Sequence, residues 1–271
     1  MIGDNWRDAM RPLLTLSIAC LAGCSGATSP IDIPFEVRFG DATIGCTDDT
    51  SGFTLTDLRF YVYDIELEGD DGPVPLELVA DPPWQSQDVA LLDFEDGEGA
   101  CTNGTPTMRS VVRGRAPAQG YEGLRFRIGV PEHLNHGDPL TAAAPLQDTS
   151  MHWHWTSGYR FLRAGIARED DGFWIHLGST RCEGTVTEPG GCRSSNRPLV
   201  ELPDYVAGED TVVLDLAKLF DGIDLDDGEP GSCSSGPPET SCEAPFAALG
   251  LDFATGEVRR PAAAFEARKA R

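Results

Sequence analysis

The placement of the eight cysteines constrains this chain more than any other feature, because the first two have a different fate from the other six. Arg7 and Arg11 lead into an apolar run, residues 13–22, which ends in Leu21-Ala22-Gly23-Cys24. A basic start, an apolar stretch too short to span a bilayer and a small-residue cleavage site describe a secretory signal. The ending is a bacterial lipobox, in which Cys24 is acylated and becomes the mature N-terminus. MRPLLTLSIACLAGC, from Met10, is already complete as such a signal. Residues 1–23 are thus expected to be a signal peptide that carries Cys20 away, and residues 24–32 a short linker from lipidated Cys24. Ser25 favours the outer membrane, so the chain is expected in the periplasm or at the cell surface, touching membrane only through its lipid.

The six remaining cysteines, Cys46, Cys101, Cys182, Cys192, Cys233 and Cys242, then sit in an oxidising compartment. An even number there reads as a disulfide framework. Local pairing would join Cys182 to Cys192 and Cys233 to Cys242, each closing a Gly/Pro/Ser-rich loop, and leave Cys46 with Cys101. A thiolate metal site is the alternative, but no CxxC pair is present, and zinc-type sites show close cysteine spacing.

Between the cysteines the pattern is that of strands. Residues 33–39 alternate as IPFEVRF, and residues 53–67, FTLTDLRFYVYDIEL, combine β-branched and aromatic residues with a partial period of two. MRSVVRGR and YEGLRFRIGV read as a pair across a Pro/Gly turn. Residues 152–166 and 173–177 read as a hairpin, residues 211–216 as a further strand and residues 244–251 as a short helix. The expectation is an all-β, antiparallel β-sandwich-like domain over residues 33–256 with long disulfide-bonded loops. Residues 257–271 read as a C-terminal surface tail.

A formal net charge of −23 argues against nucleic-acid binding, which needs cationic surface to neutralise phosphates. There is no HExxH metalloprotease motif, no GxSxG nucleophile elbow and no CxxCH haem attachment. The chain is expected to be a binding protein and not an enzyme.

All five histidines fall within residues 133–176, and the densest stretch is MHWHWTSGYRF. Imidazole suits copper, zinc, iron and nickel. If residues 152–155 are extended, His152 and His154 share one face and Trp153 and Trp155 the other. His176, in FWIHLGSTRC, is brought near by the hairpin, and His136 lies on a loop leading to the same strand. The plain alternative for each is a hydrogen-bonded histidine with a packing role. The acidic loop at residues 221–229, DGIDLDDGE, reads first as a solvated turn. A calcium site is the alternative, because the aspartates are near calcium-loop spacing, although the terminal glutamate of the full loop is missing.

The segments VPEHLNHGDPLTAAAPL, MHWHWTSGYRFLR, FWIHLGSTRC and CSSGPPETSC with APFAALGLDF after it, in this order, resemble the MbnP-type proteins, the four-cysteine half of the “metallo-mystery” pair system. The resemblance implies an exported copper-binding β protein. It also implies a partner di-haem enzyme of the cytochrome c peroxidase/MauG-like class, able to oxidise a tryptophan to kynurenine beside the copper. Asn135-His136 match the family's Asn-His pair, Trp153 and Trp155 its W-x-W, residues 176–180 its H-L-G-S-T, and Cys182, Cys192, Cys233 and Cys242 its four cysteines. Ser234 departs from the methionine of many members, so any thioether role is absent. The metal candidates are His136, His154 and His176, with His152 next; Trp153 and Trp155 are the candidates for modification. A metal-free structural or adhesion-type surface lipoprotein and a periplasmic electron-transfer protein are the competing readings.

Overall fold

Two β-sheets face each other across a core of interlocked rings. The computed structural model describes residues 27–47, 50–169, 171–185, 189–225, 231–236 and 238–270. Cys24 and the leader, and the end of the acidic 221–229 loop, lie outside the described residues.

The larger sheet runs Leu199–Val206, Glu122–Ile128, Thr54–Gly69, Gly158–Arg168, Asp171–Gly178, Gly231–Cys233. The short strands Gly72–Pro75, Ala90–Asp93 and His152–His154 pair at its margins. The smaller sheet runs Phe265–Lys269, Asp210–Asp215, Thr28–Phe39, Val111–Pro117, Glu77–Leu78. The strands pair mostly antiparallel, but two pairs are parallel: Phe35 with Val212, and Phe173 with Gly231. The sheets are therefore mixed, and long connections bring those partners together.

The Val111–Pro117 strand shows why these residues form a sandwich. Its side chains alternate between buried (Val112, Ala116) and solvent-facing positions, as one covered face requires. Phe35 and Phe265 from the smaller sheet meet Phe60 and Phe126 from the larger one edge-on, with centroids 5.7–6.1 Å apart. Such geometry adds about 0.5–1.5 kcal/mol per pair beyond simple burial.

This cluster corrects two boundaries. Residues 257–271 are not a surface tail: Phe265–Lys269 pairs with Asp210–Asp215, and Ala262, Ala264 and Phe265 are buried. The charged Arg268 and Lys269 hid the strand that carries them. Residues 24–32 are not all linker either, because the first strand begins at Thr28 and pairs with Pro117.

The long Thr54–Gly69 strand is buried on both faces. Its outer face is covered by the segment after Gly129, where Tyr159 hydroxyl donates to Leu146 carbonyl at 2.8 Å and Tyr61 stacks edge-on against Tyr159. Register then sets a polar row beneath that cover: Arg59 pairs with Arg163, and Arg163 with His176. Asp57, two residues from Arg59, points to the same face.

The disulfides join Cys46–Cys101, Cys182–Cys192 and Cys233–Cys242. No helix among the described residues is long and apolar enough to cross a membrane.

Candidate metal centre

The centre is built where the His152–His154 strand meets the end of the Asp171–Gly178 strand. Strand alternation turns Trp153 to one face and His152 with His154 to the other. Trp153 stands edge-on to His176, with ring centroids 6.5 Å apart and planes at 80°. The Arg160 guanidinium lies 5.4 Å from the same indole, and its Nη1 donates to His152 carbonyl at 2.9 Å, tying the ring's own strand in place. Gly178 makes room: a Cβ there would stand 3.0 Å from Trp153 Cε3 and 2.8 Å from Tyr159 carbonyl.

His176 is half-buried, and its Nε2 faces Asp57 Oδ2 at 4.0 Å. Burial holds its pKa below the ordinary histidine value, with Arg160 and Arg163 acting in the same direction and Asp57 opposing. The ring is therefore favoured as neutral imidazole, the form that ligates. Asp57 is itself held by Arg163.

Backbone clamps set the His176–Gly178 segment. Ser235 hydroxyl donates to His176 carbonyl at 2.6 Å and accepts from Gly178 N–H at 2.7 Å. Asn196 Nδ2 donates to Gly178 carbonyl at 2.8 Å. Ser235 and Asn196 are both buried, and both have positive φ, 71° and 50°. Backbone strain of this kind persists only where surroundings impose it. Here the Cys233–Cys242 disulfide anchors the loop carrying Ser235. Neither residue was singled out from sequence; a serine in a Ser/Gly/Pro-rich loop carries no local signal of such a role.

The Asn135-His136 pair lies at the end of the short helix Glu132–Asn135, and its contacts run to the turn before Tyr159 and to Cys192. Asn135 is buried; its Oδ1 accepts from Tyr159 N–H at 3.1 Å and its Nδ2 donates to Ser157 carbonyl at 3.2 Å. Gly158, at φ +77°, allows that approach, since a Cβ there would be 2.0 Å from Asn135 carbonyl. The His136 side chain is 8% exposed, with Nε2 at 3.7 Å from Glu132 and 3.5 Å from Cys192 Sγ. Its Nδ1 is buried with no hydrogen-bond partner. An orphaned buried nitrogen costs about 1–3 kcal/mol, and a metal ion is one partner that would satisfy it. The unpartnered Nδ1 of His136 and a neutral His176 fit a nitrogen-binding metal such as copper.

The other candidates stand apart. His152 packs edge-on against Tyr159, 5.4 Å between centroids. Burial lowers its pKa, and the charges of His154 and Arg160 lower it further. His154 is exposed; its Nδ1 lies 2.7 Å from Thr156 Oγ1 and its ring leans on Trp155, itself 36% exposed in the turn beyond the strand. The structure thus joins Trp153 to His176, sets His152 and His154 on the opposite side of their strand and leaves Trp155 in the turn beyond it. His133 lies apart again, exposed beside a groove lined by Asp88 and Asp138.

Comparison with known proteins identifies the family. The family profile described as MbnP matches residues 28–235. Among solved structures, MbnP from Methylosinus trichosporium is 30% identical, with a TM-score of 0.80, covering 90% of this chain and 100% of that one. No curated protein sequence matches. The chain belongs to the MbnP family.

Proposed function

We propose that this protein is an exported copper-binding protein whose ligands centre on His136 and His176, with Trp153 converted to kynurenine beside them. The observation that carries the reading is the contact of Trp153 with His176; a buried His136 Nδ1 without a hydrogen-bond partner supports it. Copper, when bound, takes nitrogen ligands readily. Asp57 faces His176, Ser235 and Asn196 hold the backbone of its strand end, and Asn135 holds the turn that follows the strand carrying Trp153.

Kynurenine formation cleaves the indole C2–C3 bond. Two oxygen atoms enter, from dioxygen or from two peroxide equivalents that leave as water. Hydrolysis then releases C2 as formate. The net change is one carbon exchanged for one oxygen, and a new aryl amine faces the site. The oxidant is supplied by a di-haem enzyme of the cytochrome c peroxidase/MauG-like class. Trp153 is the better substrate for the site because it touches His176, whereas Trp155 lies in the exposed turn. The chain itself binds and holds the metal in the periplasm or at the cell surface, anchored to the outer membrane by lipid on Cys24.

Copper titration of protein purified from its native host tests the reading. About one ion per chain is expected, weakened by His176→Ala and by His136→Ala. Equal affinity in both variants removes these residues as ligands.

A further inference from the structure

We propose that the Cys182–Cys192 disulfide is a reducible lock on a second soft-metal site, in which the two freed thiolates and His136 Nε2 hold one ion. It shares His136 with the copper reading but needs neither Trp153 oxidation nor His176.

Three observations converge. First, the three disulfides differ in access. Cys46, Cys101, Cys233 and Cys242 are all buried, whereas Cys182 and Cys192 are half-buried. Thiol–disulfide exchange needs an attacking thiolate to reach sulfur, so this bridge opens first. Second, the ligand atoms are already gathered. His136 Nε2 lies 3.5 Å from Cys192 Sγ, and the ligand atoms of His136, Cys182 and Cys192 all lie within 4.8 Å of one another. A tetrahedral ion with sulfur at about 2.3 Å and nitrogen at about 2.0 Å sets its ligand atoms roughly 3.5–3.8 Å apart. Third, the bridge sits in the hairpin Thr180–Gly184 with Pro189–Ser194, which hydrogen-bonds as its own two-stranded sheet, with neither large sheet among its partners. Cys182 and Cys192 are directly opposed in its register, so small side-chain rotations move the sulfurs apart without breaking either main sheet.

The chemistry balances with a dithiol reductant of the thioredoxin-like class. Its thiolate attacks the more accessible sulfur, the S–S bond breaks and a mixed disulfide forms. Its second thiol then displaces this chain's cysteine. The reductant leaves as a disulfide, having given two electrons, and this chain gains two thiols. Metal binding releases the thiol protons to solvent. Two thiolates with one imidazole suit a soft or borderline ion, Cu(I) or Zn(II).

Co(II) alone is the probe, because thiolate ligation gives intense near-ultraviolet charge-transfer absorption. The full-length protein is treated with limiting dithiol, the reductant is removed without oxygen, and thiols are counted. The expected result is two titratable thiols from Cys182 and Cys192, one Co(II) per chain with thiolate absorption, and at least about tenfold weaker binding in His136→Ala. The Cys182→Ser/Cys192→Ser variant loses the absorption; alkylating the two thiols of the unmutated protein gives the same loss without a substitution. Absence of thiolate absorption in the two-thiol protein, its persistence after alkylation, unchanged affinity in His136→Ala, or earlier opening of a buried disulfide each overturns the proposal. Copper binding is measured with all disulfides intact, so either result stands when the other fails.

Discussion

The Trp153 indole meets the His176 imidazole edge-on, centroids 6.5 Å apart, while Trp155, two residues on, leans on exposed His154. This asymmetry predicts which tryptophan changes. Peptide mapping of protein from a host carrying the di-haem partner is expected to show a carbon-for-oxygen exchange at Trp153 and an unaltered Trp155. The reverse pattern would move the metal to the outer side of the strand.

Gly178 separates the backbone from that indole. A Cβ at this position meets Trp153 Cε3 at 3.0 Å and Tyr159 carbonyl at 2.8 Å. Overpacking of this kind costs about 1–3 kcal/mol. Gly178→Ala is expected to lower the unfolding free energy from urea titration by that measure and to weaken copper binding by about tenfold, as loss of a supporting contact does. A variant with unchanged affinity would show that the Trp153 position is irrelevant to the metal.

Much of this arrangement was legible in the sequence. Alternation in MRSVVRGR and in YEGLRFRIGV identified strands, because one covered face imposes a period of two. The same rule placed His152 and His154 together. What alternation could not show is which face meets His176, since that depends on register between strands far apart in the chain. Sequence also missed the strand at residues 265–269, whose lysine and arginine mimic a solvated tail, and the clamps Ser235 and Asn196. Asp57 was unread for the same reason: its partner Arg163 lies across a strand pairing, not nearby in sequence.

The Phe265 ring tests whether that last strand belongs to the core. It touches Phe60 and Phe126 and is buried. Phe265→Ala is expected to cost about 3–5 kcal/mol in chemical unfolding. A loss below about 1 kcal/mol would return the segment to the periphery.

Glu95 predicts how stability depends on pH. Burial raises its pKa to about 8, and its hydrogen bond to Asp57 and the Asp57 charge add to the rise, against Arg59 and Arg163. The folded chain keeps this proton where the unfolded chain, at an ordinary carboxyl pKa of about 4.3, has lost it. Its contribution is therefore fully present below about pH 4.3 and is lost as pH rises through about 8. Glu95→Gln keeps a donor toward Asp57 and an acceptor for Leu58 N–H, which now bonds Glu95 at 3.0 Å. Urea midpoints between about pH 5 and 8 are expected to fall less in the variant than in the parent. Parallel curves would show that Glu95 does not hold the proton.

Copper affinity of the native, disulfide-intact protein, compared with His176→Ala by competition against a chromophoric Cu(I) chelator, tests the metal site most directly. A site built on His136 and His176 predicts about one ion per chain and at least about tenfold loss in the variant. One ion bound equally tightly by both proteins would contradict it.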